Sequence, residues 1–185
     1  GTGTEWQGDP TETALVLAAL SANLDKTALE AATPRVQEQP FDSGRMRMTT
    51  FHRDGDAYIA YTKGAPESVL PCCDAQWTPH GRQPIDHTAL VGQAQALAAQ
   101  GLRVLALARR DHRVLPDTNS LADVERGLEF LGLIALIDPP RPEAARAVQE
   151  CITAGITPVM ITGDHPATAR AIAFRLGIIP DAQAE

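Results

Sequence analysis

The chain has 185 residues, with 16 Lys and Arg against 23 Asp and Glu, a formal net charge of −7. That length bounds it to one domain, or one domain and part of a second. Its acidic balance argues against an electrostatic grip on nucleic acid or on an anionic membrane surface. Hydrophobic residues make up 44% and charged residues 21%, an ordinary globular composition that excludes disorder of the whole chain. Aromatic residues are only 4%, so the core must rest on Ala, Leu, Ile and Val. Cys72, Cys73 and Cys151 make no disulfide framework and no zinc spacing, and read as reduced thiols of a cytosolic setting. The longest apolar run, Phe130 to Ile137, has eight residues, against the roughly 20 a membrane-spanning helix needs. No signal-peptide pattern opens the chain, since Glu5 and Asp9 stand where an apolar stretch would be. The expectation is a soluble chain.

The first element expected is a helix over Pro10–Asn23. Asp9 is placed as its N-cap, Pro10 at the first helical position, and Glu12 at the third, a capping-box spacing. A short helix follows over Thr27–Ala32. The period then changes, and Arg35–Phe41, Arg45–Arg53 and Asp56–Lys63 read as strands, the last two joined by the hairpin signal Asp54-Gly55. Ala65–Cys73 reads as a short helix. Ile85–Gln100 reads as an Ala-rich helix closed by Gly101. Leu102–Arg109 is an expected strand, residues 112–126 a polar loop with a helical turn, and Leu128–Ile137 a long apolar strand. Pro139-Pro140 is a stiff break. Beyond it, a helix over Pro142–Ala154, a strand over Thr157–Ile161 and a helix over Pro166–Leu176 have the alternation of an α/β unit.

The strongest local chemical signal is Thr162-Gly163-Asp164, which follows an apolar segment and opens a helix. Backbone N–H groups there, with the Thr162 hydroxyl, suit a phosphoryl group; the same residues equally suit a plain turn with Asp164 as N-cap. Asp138-Pro139-Pro140-Arg141 reads as a rigid joint between domains. Lys63-Gly64-Ala65 puts a cation at a strand end where the backbone can approach a ligand, although a lone Lys there is commonly just solvated. Phe41 and Arg103 are weak signals by themselves. The P-loop pattern is absent from the sequence. Asp25-Lys26-Thr27 faintly echoes an aspartyl-phosphate motif but lacks its Gly and follows a helix, so it reads as coincidence.

Taken together and in order, six segments resemble the P-type cation-transporting ATPases of the calcium, sodium or proton pump kind. Gly8-Asp9-Pro10-Thr11-Glu12-Thr13-Ala14-Leu15 resembles the family's G-[DE]-x-T-E-x-A-L, and Phe41-Asp42-Ser43-Gly44-Arg45-Met46-Arg47-Met48 resembles F-D-S-x-R-K-R-M. Lys63-Gly64-Ala65-Pro66-Glu67, Gly101-Leu102-Arg103-Val104-Leu105-Ala106, Asp138-Pro139-Pro140-Arg141 and Thr162-Gly163-Asp164 complete the series.

The resemblance implies an α+β nucleotide-binding domain over residues 1–137, an antiparallel sheet flanked by helices that lacks its extreme N-terminal part. It implies a partial phosphorylation domain over residues 138–185, an α/β fragment of haloacid-dehalogenase-like fold. By the same resemblance Phe41 stacks on adenine, Glu12 lies near the adenine amino group, Lys63 with Gly64 lines the adenine pocket, and Arg103 approaches the phosphates. Thr162 and Gly163 would touch the transferred phosphoryl group, Asp164 would support that loop, and Asp138 and Arg141 would belong to the hinge. One position departs from the pattern: Met46 stands where the family has Lys, which removes a pocket cation for which Arg45 or Arg47 could substitute.

The implied ligands are ATP and the Mg2+ that accompanies it, with no metal held by this chain. The implied partners are the remaining phosphorylation, actuator and transmembrane domains of a parent pump at the cytoplasmic face of a membrane, with no nucleic acid and no direct membrane contact. The parent would couple ATP hydrolysis, through an aspartyl-phosphate, to cation transport. D-K-T-G-T and G-D-G-x-N-D do not occur in this sequence, so the expectation is a fragment that binds ATP weakly without turning it over. The rival readings are a soluble haloacid-dehalogenase-like phosphatase, which would need a D-x-D-x-T motif that is lacking, and a non-catalytic adaptor that kept the fold.

Overall fold

A computed structural model describes residues 10–117, 121–136, 141–162 and 166–181. It contains helices α1 (Pro10–Ser21) and α2 (Lys26–Ala32), strands β1 (Arg35–Asp42), β2 (Arg47–Asp54) and β3 (Ala57–Gly64), and helix α3 (Pro66–Val69) running into a 3-10 turn (Leu70–Cys72). These are followed by β4 (Cys73–Thr78), β5 (Gly81–Pro84), α4 (His87–Ala99), β6 (Arg103–His112), α5 (Leu121–Val124), β7 (Leu128–Leu136), α6 (Pro142–Thr153) and α7 (Pro166–Leu176). Two compact units divide the chain, one of residues 1–86 and 106–132, the other of residues 87–105 and 133–185.

Seven strands pair in the order β1-β2-β3-β6-β7-β4-β5, and most of their residues belong to the first unit. The hairpin at Asp54-Gly55 forms as expected: β2 and β3 pair antiparallel from Arg47–Gly64 to Asp54–Ala57, and Gly55 takes φ +60, which a turn of this kind demands. β4 pairs antiparallel with β5 but parallel with β7. The sheet is therefore mixed, not the wholly antiparallel one expected, because the crossover through α4, β6 and α5 brings β7 in beside β4 in the same sense.

Strict alternation gives the central strands two different faces. Phe51, Ala60, Ala106 and Ala108 are buried on one, where Phe51 and Ala60 gather with Val124 of α5. Phe51 pairs with Ala60 and Thr49 with Thr62 across β2 and β3, so these positions share that face. The intervening residues Met48, Thr50 and His52 pair with Lys63, Tyr61 and Ile59 and lie on the other. A one-residue slip of β2 would exchange the two sets, so burial of Phe51 sets the register.

In the second unit, α4 is followed by a turn in which Gly101 takes φ +77. A Cβ there would come 2.7 Å from the Cβ of Ala171 on α7, and Arg175 donates to the Gln100 carbonyl at 3.0 Å. Helix α7 also packs on α6. Several segments differ from expectation. Thr157–Ile161 forms no strand, and Val159 and Ile161 are 79% and 95% exposed, since no ladder partner is present among the described residues. The helix expected through Cys73 ends at Val69 and runs as a 3-10 turn to Cys72, and β4 begins at Cys73. β2 starts at Arg47 rather than Arg45, because Met46 turns left-handed at φ 51. Asp25 is the N-cap of α2, accepting from the N–H groups of Thr27 and Ala28 at 2.7 and 3.2 Å, a structural role that leaves its likeness to a phosphorylation motif a coincidence. Asp9, expected to cap α1, lies outside the described residues.

Candidate functional site: a cleft on one face of the sheet, a buried carboxylate on the other

The open face of β2, β3 and β6 floors a cleft of about 650 Å³, walled by α1 and α2. Ligand pockets are commonly roughly 300–1,000 Å³. Met48, Thr50, Tyr61, Lys63 and Leu107 contribute the floor, placed there by the alternation that buries Thr49 and Thr62 beneath them. His52 packs edge-on to Tyr61, ring centroids 5.5 Å apart, and is held by the Thr33 carbonyl and the Thr50 hydroxyl, each at 3.0 Å. At the rim, Glu12 of α1 forms an ion pair with Lys63 of β3. Two residues 51 positions apart in the sequence, both expected at an adenine pocket, thus meet at one cleft.

The other expected residues fall as follows. Phe41 lies near the end of β1 and is 61% exposed, outside the lining of the cleft. Gly64 marks a close approach: a Cβ there would lie 2.4 Å from the Met46 carbonyl oxygen and 2.5 Å from the Arg47 Cβ. Arg47, offered as a stand-in cation, is turned to the opposite face, where its Nε donates to Glu125 at 2.7 Å. Arg45, the other stand-in, is committed to the same carboxylate through Nη1 at 2.6 Å. In the second unit Arg103 is exposed on β6, Arg141 is exposed at the start of α6, and Thr162 is exposed ahead of α7. Asp138, Gly163 and Asp164 lie outside the described residues.

Glu125 is the residue that sequence reasoning missed. It follows α5 in the segment expected to be a polar loop, yet it is only 1% exposed. Its carboxylate accepts from Arg45, Arg47 and, at 2.9 Å, the Thr49 hydroxyl, which also meets the Thr62 hydroxyl at 2.9 Å. Burial pushes this carboxyl up, but hydrogen bonds from Arg45, Arg47 and Thr49 and the charge of Arg47 outweigh it, holding the group below the ordinary carboxylate value. Arg110 on β6 steadies the segment by donating to the carbonyls of Asp123 and Arg126, both at 2.6 Å. The one sequence signal for Glu125 is a carboxylate between the apolar Val124 and Leu128, which is too common a pattern to single it out.

A second carboxylate, Glu129 on β7, collects Trp77 Nε1 at 2.8 Å, Arg82 at 2.7 Å and Arg109 at 3.4 Å at the surface. Its desolvation is again outweighed by hydrogen bonds from Trp77, Arg82 and Arg109, so its carboxyl too is held low. Cys73, buried and beside Cys72 and Asp74, has its thiol pushed up to about 12, which leaves it a packing residue. Among the described residues no helix is long and apolar enough to cross a membrane.

An α+β unit whose mixed sheet offers an ion-paired, helix-walled cleft is the kind of scaffold that holds a small polar ligand. The chain belongs to the P-type ATPases: residues 1–143 match the family model of the P-type ATPase cytoplasmic domain N. It is 44% identical over 181 residues to a cation-transporting ATPase of Synechocystis, covering 95% of this chain and 20% of that protein. It is 40% identical over 178 residues to calcium-transporting ATPase 1 of Bacillus cereus (94% and 20%). It is 42% identical over 181 residues to a sodium/potassium exporting P-type ATPase of Schizosaccharomyces pombe (95% and 17%). The chain spans about a fifth of the length of the curated relatives it matches.

Proposed function

We propose that this chain is the ATP-binding cytosolic portion of a P-type cation pump, and that the cleft beside the Glu12–Lys63 pair receives adenine. The observation that carries this reading is that pair itself, which joins two motif residues over a floor of Met48, Thr50 and Tyr61. The carboxylate of Glu12 can accept from the amino group of adenine. Guanine would present a carbonyl oxygen at the same place, so the cleft favours ATP over GTP. Phe41 supplies an exposed aromatic face for stacking, and Lys63 a cation that offsets the charge an acidic domain would otherwise set against a triphosphate. Mg2+ enters with the phosphates of ATP.

Residues 138–185 would form a partial phosphorylation domain of haloacid-dehalogenase-like fold, with residues 1–137 as the nucleotide-binding domain. Thr162, Gly163 and Asp164 would form its phosphoryl-site loop, Arg103 would approach the phosphates, and Asp138 and Arg141 would serve the hinge. The exposed apolar residues Ile156, Val159 and Ile161 support that reading, since they suit a strand that further sheet neighbours would cover. In the parent, the transferred phosphoryl would pass to an Asp elsewhere and drive cation transport, with the actuator and transmembrane domains as partners at the cytoplasmic face of a membrane. The chain alone binds ATP and does not turn it over.

The test is a calorimetric titration with ATP and with GTP, with and without Mg2+. Saturable binding that favours ATP is expected. Base stacking on an aromatic is worth about 1–3 kcal/mol, so Phe41→Ala should raise Kd on the order of ten- to a hundredfold. Unchanged affinity in Phe41→Ala would remove that ring from the site, and absence of saturable ATP binding would overturn the reading.

A further inference from the structure

Arg45, Arg47 and Glu125 form a cluster outside the lining of the cleft. The turn between β1 and β2, residues 43–46, begins two residues after Phe41 and is tied at several points. Asp42 accepts from the Arg45 N–H through its carboxylate at 2.8 Å and from the Met46 N–H through its carbonyl at 2.7 Å. The Ala65 N–H donates to the Met46 carbonyl at 3.0 Å, Ser68 Oγ donates to the Arg45 carbonyl, and Arg47 Nη1 donates to Ser68 Oγ at 3.0 Å. Arg45 has two hands: Nη1 on Glu125 and, at 3.0 Å, Nη2 on the Pro40 carbonyl, the residue before Phe41. Both arginine side chains are only 19% exposed, and the Glu125 side chain that pairs with both is 1% exposed. Without Glu125 two half-buried cations would face each other, a strongly unfavourable arrangement.

We propose that Glu125 is a positioning residue for the adenine-stacking ring: it draws Arg45 and Arg47 to the core face of the sheet and, through Arg45 and the Pro40 carbonyl, fixes the backbone that presents Phe41. The link to nucleotide rests on the ATP-binding reading above; the hold on the turn does not. Glu125 also accounts for why neither arginine replaces the cation lost at Met46, since one buried carboxylate occupies both. A ring presented in the competent pose for only a tenth of the time would weaken apparent affinity about tenfold.

The experiment uses the 185-residue chain, its Glu125→Gln and Arg45→Met variants, and each of these combined with Phe41→Ala. Arg45→Met cuts the link to Pro40 while leaving the Arg47–Glu125 pair, and so keeps the test sound if Glu125→Gln folds poorly. Amide hydrogen exchange is read first, without nucleotide. The account expects the Arg45 and Met46 amides to exchange about tenfold faster or more in both variants, with the Asp54–Ala57 end of the hairpin unchanged, as local opening requires. Equal acceleration everywhere, or none at the turn, would overturn it. ATP titration is read second. Either variant should raise Kd about tenfold when Phe41 is present and change it little in the Phe41→Ala background, the non-additivity of residues that act as one unit. Equal losses in both backgrounds would reduce Glu125 to a structural residue. Failure of the parent chain to bind ATP would sink the nucleotide reading alone, with the exchange result still deciding whether Glu125 holds the turn.

Discussion

The two faces of β2 put the same chemistry to opposite uses. On the cleft face, Glu12 and Lys63 form an ion pair whose side chains are 55% and 24% exposed. On the core face, Glu125 gathers Arg45, Arg47 and Thr49 at 1% exposure. An exposed pair is worth about 0–1 kcal/mol and opens cheaply, as the proposed exchange of that partner for adenine requires. A buried, fully hydrogen-bonded carboxylate holds its partners rigidly, and removing it leaves uncompensated charge. The surface cluster at Glu129, itself 20% exposed, lies between the two. Burial, more than the number of partners, decides whether a carboxylate supports the site or takes part in it.

The largest effect that would break this comparison comes from Glu125→Ala. Taking the buried carboxylate away from two half-buried guanidiniums should cost about 3–5 kcal/mol of unfolding free energy, read by urea denaturation. A loss below about 1 kcal/mol would place Glu125 in the same class as the rim pair. Next comes Gly64→Ala. The added methyl would lie 2.4 Å from the Met46 carbonyl oxygen and 2.5 Å from the Arg47 Cβ, so overpacking should cost about 1–3 kcal/mol and weaken ATP binding with it. Unaltered stability there would show that the turn and the end of β3 are not packed as described.

The pH dependence sharpens the contrast more gently. The Glu125 carboxyl is held below its ordinary value of 4.5. Its contribution to stability is therefore complete above that value and is lost as pH falls through the lower, folded one. An acid denaturation series should show a steep limb below about pH 4.5 that flattens in Glu125→Gln. His112 acts in another window. Burial, aided by Arg110 and opposed by Asp111, lowers its pKa below 6.5, so the folded state resists its protonation and stability begins to fall as pH drops below the ordinary histidine value. The smallest effect is expected of Glu12→Gln, which should change unfolding free energy by less than about 1 kcal/mol and by less still at high salt. A larger stability change there would make Glu12 part of the scaffold and not of a yielding rim.

The cleft face was legible in the sequence where local chemistry is strong. Asp54-Gly55 announced the hairpin, and the hairpin's register placed Lys63 opposite Met48. The resemblance assigns Glu12 and Lys63 separately to an adenine pocket; that the two side chains form an ion pair is a finding of the structure. The core face was not legible, because a buried carboxylate between Val124 and Leu128 differs from a solvated one only through partners 76 to 80 residues away. Arg45 and Arg47 consequently read as spare cations. β4 and β5 escaped for another reason: β4 alternates over only six residues and its first, Cys73, reads as the end of the preceding helix, while β5 is four residues long and all four are solvent-accessible. Thr157–Ile161 had the composition of a strand but none of the partners that make one.

The most direct test of the central claim is a two-dimensional NMR titration of the chain with ATP. The account predicts the largest shift changes at Phe41, Glu12, Met48, Thr50 and Lys63, with the Glu125 segment little moved because it supports the site from the far face of the sheet. Shifts centred on the Trp77–Arg109–Glu129 cluster, or spread evenly with no saturation, would contradict it and place the nucleotide elsewhere or nowhere on this chain.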